Sequence, residues 1–158
     1  EWVDGELVQS LLGEPLLRVL DVRLPRQEGA TALAAEHLPG ALRLDVGQLG
    51  SAHVGSAHLG SAHLDGMGAV APELIAALAR QGIGDEHLIV VYDEDGFGDA
   101  ARLVRMLRSW GHDAASLAGG WRRWLQEGRP VTRQWQRYSP ASFTARWASA
   151  DTPALPNA

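Results

Sequence analysis

Residues Val90 to Arg102 read VVYDEDGFGDAAR. An apolar run, opened by Leu88 and Ile89, stops on three acids, passes two glycines and takes on helical spacing. Leu88 to Tyr92 is apolar throughout, as expected of a central strand in a parallel sheet covered on both faces. After the turn, Ala100, Leu103, Val104 and Leu107 fall on one helix face, and Arg102, Arg105 and Arg108 fall mainly on the other. The helix is predicted from about Phe97 to Trp110, with Asp99 in its first turn, arginines later and Gly111 as the stop. Open α/β sheets hold their ligands at strand-to-helix turns of this kind. Asp93 stands at the turn, so its role decides the function.

The flanking segments continue the alternation. Asp4 is a cap for a helix carrying Leu7, Val8, Leu11 and Leu12, with Gly13 as its stop. Leu16 to Leu20 reads as a buried strand running into Asp21-Val22-Arg23. Leu24 to Gly29 is rich in turn residues, Ala30 to Glu36 reads as a short helix, and Pro39-Gly40 breaks it. Ala41 to Val46 is a second predicted strand. Pro72 is placed in the first turn of a helix carrying Leu74, Ile75 and Leu78 and closed by Gly82. Ala114 to Leu117 reads as a strand, and Trp121 to Gln126 as a helix stopped by Gly128 and Pro130. Strands alternating with helices predict an α/β domain with a mainly parallel sheet. Beyond about Val131 the periodicity fades, yet Trp135, Tyr138, Phe143 and Trp147 predict that the tail packs on something.

Composition narrows the chemistry. The 158 residues suit one domain with one core. No apolar run approaches the roughly 20 residues of a membrane span. The first residues, EWVDGELVQS, lack the basic start and apolar stretch of an export signal; on that ground the protein reads as cytoplasmic. A net charge of −5 weighs against a nucleic-acid or membrane partner. All 14 basic residues are Arg, and Cys is absent. The second fact excludes a disulfide, a thiolate metal site and a thiol nucleophile in this chain.

Leu49 to His63 reads LGSAHVGSAHLGSAH, a five-residue unit repeated three times. His53, His58 and His63 at regular spacing are candidate metal ligands. A period of five matches neither helix nor strand, and Gly and Ser give no rigid frame, so a tolerant surface loop is the preferred reading and no metal is expected.

Taken in order, several segments resemble the rhodanese (sulfurtransferase) domain. They are Leu20-Asp21-Val22-Arg23, then Glu36-His37-Leu38-Pro39-Gly40-Ala41, then VVYD, then the arginine-bearing helix ending in Trp110-Gly111-His112. Leu117-Ala118-Gly119-Gly120-Trp121-Arg122-Arg123-Trp124 and Gly128-Arg129-Pro130-Val131 complete the set. The resemblance covers roughly residues 1 to 147, and its specificity lies in the set and its order. It implies an α/β fold with a five-stranded, mainly parallel sheet and helices on both faces. It places the domain at 1–132, with 133–158 as a tail whose Tyr138 to Ala145 resembles an inter-domain linker. Asp21, Arg23 and His37 match structural motifs of the family and are read as hydrogen-bonding and turn residues of the scaffold.

In active members of the family, the strand matching Val90-Val91-Tyr92 ends on a Cys that carries a sulfane sulfur from thiosulfate or 3-mercaptopyruvate. Loop N–H groups and the following helix N-terminus favour negative charge there, lowering a thiol pKa and holding an anionic donor. Here the matching position is Asp93, which cannot carry a persulfide. The loop Asp93, Glu94, Asp95, Gly96, Phe97, Gly98 therefore reads as a degenerate active site, and with Asp99 it bears four acids that repel anionic donors. The wording resembles the non-catalytic N-terminal half of two-domain sulfurtransferases. That resemblance implies a catalytic rhodanese domain as partner, downstream in the same polypeptide, and no cofactor.

Two other readings fit parts of the chain. One is a standalone binding module that uses the acidic loop or the His repeat. The other takes Asp93-Glu94-Asp95-Gly96 as the opening motif of haloacid-dehalogenase-like phosphatases, with Asp93 as nucleophile, Asp95 as acid/base and Mg²⁺ beside the phosphate. Against the latter, Phe97 stands where Thr or Val is usual and no Lys exists. Asp113, Glu127 and Asp151 also form no late acidic pair. An EF-hand fails because Val104 falls where the bidentate Glu belongs.

Overall fold

The computed structural model describes residues 1–23, 36–44, 67–96 and 98–144, with 67–71 described by backbone alone. Five strands form one parallel sheet: β1 (Trp2–Val3), β2 (Leu17–Asp21), β3 (Ala41–Arg43), β4 (Leu88–Tyr92) and β5 (Ala114–Leu117). Their order is β1-β5-β4-β2-β3. Four helices are described: α1 (Gly5–Leu11), α2 (Met67–Arg80), α3 (Asp99–Ser109) and α4 (Gly120–Gln126).

The strand alternation sorts side chains into two cores. Ile89 and Val91 of β4 face Leu74 and Leu78 of α2 and Leu103 and Leu107 of α3. Val90 and Tyr92 face Val8 of α1 and Trp121 and Trp124 of α4. Helices on both faces explain why β4 is apolar at every position: neither side meets water. At about 25 cal/mol per Å² of apolar surface removed from water, this double burial supplies the main driving force for the fold.

Local chemistry sets the helix ends. Asp4 accepts a hydrogen bond from the Leu7 N–H at 2.9 Å and caps α1. The inner stripe of α3 is buried at Ala100, Leu103, Val104 and Leu107, and Met106 joins it. The expectation that Pro72 opens its helix is corrected. α2 begins at Met67, so Pro72 lies inside the helix. Proline lacks the N–H that would bond the carbonyl four residues back, yet this helix continues through the loss of one such bond. The second predicted strand is shorter than expected, ending at Arg43. The helix predicted over Ala30 to Glu36 falls mainly outside the described residues. β1 was not foreseen, and pairs Trp2 with Ser116 and Val3 with Leu117.

Residues 131–144 carry no regular element but strap the domain. Thr132 exchanges two 2.9 Å backbone hydrogen bonds with His37. The Arg18 guanidinium lies 3.7 Å over the Tyr138 ring. Phe143 is buried, stacked on His112 at 4.0 Å and edge-on to Trp110 at 6.5 Å. The strap crosses Gly82 so closely that a Cβ there would sit 2.5 Å from the Tyr138 Cβ, and Gly82 also has a φ of +91°. Only glycine satisfies both demands.

Candidate functional site

β2 connects outward to β3 and β4 outward to β5, so the strand order reverses between β2 and β4. Crevices at such reversals, beyond the strand C-termini, are where open α/β sheets bind ligands. Asp93 follows β4 directly at this place.

The Asp93 side chain is buried and folds back into its own loop. Its Oδ1 accepts from the Gly96 N–H at 2.6 Å. Its Oδ2 accepts from the Gly98 and Ala100 N–H groups, each at 3.1 Å. The last donor belongs to the first turn of α3, where unpaired N–H groups and the helix dipole attract an anion. Three amides thus converge on one carboxylate, and the chain's own side chain fills its anion cradle.

The loop is braced from the other side by α4. The Trp121 and Arg122 N–H groups donate to the Asp93 and Glu94 carbonyls, both at 2.9 Å. Gly120 allows this approach: it has a φ of +63°, and a Cβ there would lie 2.7 Å from the Asp93 carbonyl oxygen. Glu94 is half-buried, Asp95 exposed, Gly96 buried and Gly98 half-buried. Phe97 lies outside the described residues. Asp99 pairs with Arg102 at 3.3 Å.

Beside the cradle sits a second polar cluster. Arg23 donates to Asp21 through Nε and through Nη2, the latter at 2.7 Å, and Nη2 also reaches the Glu36 carbonyl at 2.9 Å. The Tyr92 hydroxyl donates to Asp21 Oδ2 at 2.9 Å and accepts from the Leu38 N–H at 3.2 Å. Arg23 lies 4.4 Å over the Trp121 ring. Burial opposes the Arg23 charge, but its hydrogen bond and charge pairing with Asp21 win, and its pKa is raised. Burial, and after it the Asp21 charge, push the Tyr92 phenol well above its ordinary value, so it stays a proton donor. His37 donates from Nδ1 to the Leu38 carbonyl at 2.9 Å and stacks on Trp135 at 3.5 Å. Burial lowers its pKa.

Asp21, Arg23 and His37 thus lie together next to the loop. Tyr92 and Gly120 were not singled out from sequence. A buried Tyr ending an apolar strand needs a partner for its hydroxyl, and that was the signal available for Tyr92. His53, His58 and His63 lie outside the described residues. Among the described residues no group of three or more His, Asp or Glu could hold a metal ion.

A parallel α/β sheet with an amide cradle at its strand-order reversal defines a class of domain built around a bound negative charge. The chain belongs to the rhodanese-like domain family, whose model matches residues 4–127. Comparison with curated proteins gives no match. Among solved structures, the chain is similar to SseA from Escherichia coli, described with the 3-mercaptopyruvate sulfotransferases. The TM-score is 0.67 at 20% identity, over 90% of this chain and 54% of that one. It is similar to the 3-mercaptopyruvate sulfurtransferase of Leishmania major, with a TM-score of 0.68 at 23% identity over 90% and 39% of the two chains. It is also similar to the sulfur transferase subunit of yeast mitochondrial complex I, with a TM-score of 0.65 at 20% identity over 92% and 51%. The chain therefore spans about half or less of each of these proteins. No helix among the described residues is long and apolar enough to cross a membrane.

Proposed function

We propose that this chain is a rhodanese-like domain silent in sulfur transfer, and that it forms the non-catalytic N-terminal half of a thiosulfate or 3-mercaptopyruvate sulfurtransferase. The observation that carries this reading is the Asp93 carboxylate held by the Gly96, Gly98 and Ala100 amides. Sulfur transfer needs a thiolate to attack the donor and hold the sulfur as a persulfide. A carboxylate does neither, and none of the 158 residues is Cys. With the carboxylate in place, the Gly96, Gly98 and Ala100 amides are not free to bind an anionic donor.

The role that remains is structural. The domain packs against a catalytic rhodanese domain downstream, covers part of its pocket and stabilises it, with residues 133–158 as the connecting tail. The partial coverage of the similar sulfurtransferase chains supports this arrangement. The phosphatase reading loses ground on the same contacts: both Asp93 oxygens already accept amide hydrogen bonds, whereas a nucleophile must reach phosphorus.

An assay of the isolated chain with thiosulfate and cyanide, and with 3-mercaptopyruvate and a thiol, tests the silence. Turnover no greater than buffer is expected, and clear turnover overturns it. The coding sequence beyond Ala158 tests the partner separately. A second rhodanese domain with Cys at the turn corresponding to Asp93 is expected, and a stop codon there defeats the N-terminal-half reading alone.

A further inference from the structure

The strap leaves a groove of about 380 Å³ where it passes β3 and the end of α2. That volume lies within the usual range of small-molecule sites, roughly 300–1,000 Å³. Arg43 lines it from β3, Arg80 and Gln81 from α2 and its end, and Arg137, Trp135 and Tyr138 from the strap. Among the described residues no acid lines it, although acids outnumber bases by 19 to 14 in the chain.

The ion pairs elsewhere make this concentration meaningful. Arg23, Arg102, Arg108, Arg123, Arg129 and Arg133 each face a carboxylate. Among the described residues, Arg18, Arg105 and Arg122 face none, and neither do Arg43, Arg80 and Arg137, the three that this one groove gathers. Like charges gathered without counter-charge repel one another, and a bound anion relieves that repulsion. Arg43 is also held in place. Its Nη2 donates to the Arg23 carbonyl at 3.2 Å, and its own carbonyl accepts from Gln81 Nε2 at 2.8 Å.

We propose that this groove binds a phosphate-bearing small molecule. Planar guanidinium forks match the oxygens of a multiply charged phosphate. Trp135 gives the groove an aromatic wall, and its stacking on His37 at 3.5 Å fixes the ring. An organic phosphate with a planar ring therefore fits better than inorganic phosphate alone. Asp93, Glu94, Asp95, Gly96 and Gly98 do not line the groove, so this site and the sulfur-transfer assay report independently.

Titration calorimetry of the intact chain at low salt, with inorganic phosphate, ribose 5-phosphate and AMP as separate probes, tests the proposal. Saturable binding of all three is expected, tightest for AMP and weakening as salt rises. Arg80 and Arg137 are exposed, so Arg80→Gln and Arg137→Gln are expected to leave the circular dichroism spectrum and melting temperature unchanged. Each should weaken AMP binding about tenfold, equivalent to about 1.4 kcal/mol. Trp135→Leu should reduce the preference for AMP over ribose 5-phosphate. The proposal is overturned if no probe saturates, or if the Arg80→Gln/Arg137→Gln double variant binds as tightly as the native chain. It is equally overturned if an acidic peptide binds through these arginines while every phosphate probe fails.

Discussion

Asp93 illustrates how one side chain decides what a cradle of backbone amides can do. The three amides aimed at its carboxylate are a general anion site, and the residue at the end of β4 decides the occupant. Removing that occupant should therefore cost stability as well as change chemistry. Asp93→Ala leaves three amide donors without their acceptor, two of them on the buried residues Gly96 and Ala100, and is expected to destabilise the domain by about 2–4 kcal/mol in urea unfolding. Formate or thiosulfate should raise the melting temperature of that variant and leave the native chain unmoved, because only the variant has free donors. An equal response of both proteins would show that the carboxylate does not block the site. Asp93→Cys is a sharper case. The cradle would then hold a thiol, but Glu94, Asp95 and Asp99 still surround it, so cyanide turnover is expected to stay low. Adding Glu94→Gln, Asp95→Asn and Asp99→Asn should raise it by about tenfold or more through the reduced repulsion of the anionic donor. High turnover in Asp93→Cys alone would refute that electrostatic argument.

The elements differ in how plainly the sequence announces them, for physical reasons. β4 and β5 are readable residue by residue: β4 is a short apolar run and β5 a stretch of small residues ending on Leu117, each between turn residues. α3 is readable from its stripe because burial on one face leaves the arginines no other side. β1 is not readable: two residues carry no period, and its pairing with β5 joins chain segments more than a hundred positions apart. The start of α2 was misplaced because proline usually marks a first turn, whereas here it lies within the helix. At the site, the place of Asp93 after β4 was legible, but the direction of its side chain was not. The spacing from Asp93 to Gly96 does carry the signal of an Asp side chain bonding to its own loop backbone. The strap was foreseen only as aromatic residues in want of partners. Phe143 supplies its main anchor, packed on Trp110 and His112. Phe143→Ala is accordingly expected to cost about 3–5 kcal/mol. Hydrogen exchange should show the amides of Ala141 and Thr144, bonded to Ala79 and Asp85, losing protection before those of β4. Simultaneous loss in both regions would mean that the strap and the sheet open as one unit.

Stability as a whole is tied to two histidines that the fold holds neutral. His37 is fully buried, its ring bonds through Nδ1, and its Nε2 has no partner among the described residues. His87 is also buried, and its ring nitrogen Nδ1 accepts from the Gly84 N–H at 2.8 Å. Burial lowers the pKa of each, with the Arg18 charge adding to the effect at His87. In the unfolded chain both titrate near the ordinary value of about 6.5. As pH falls through that value, the unfolded chain takes up protons that the folded chain refuses, and folding becomes less favourable. Their contribution is full above the unfolded value, declines below it, and levels off once the folded histidines protonate. Urea unfolding measured from pH 7.5 down to pH 5.5, above the main carboxylate range, should therefore show stability falling with pH. The His37→Asn/His87→Asn double variant, less stable at pH 7.5, should show a flatter slope across the same interval. A slope unchanged by removing both rings would assign the pH dependence to other groups.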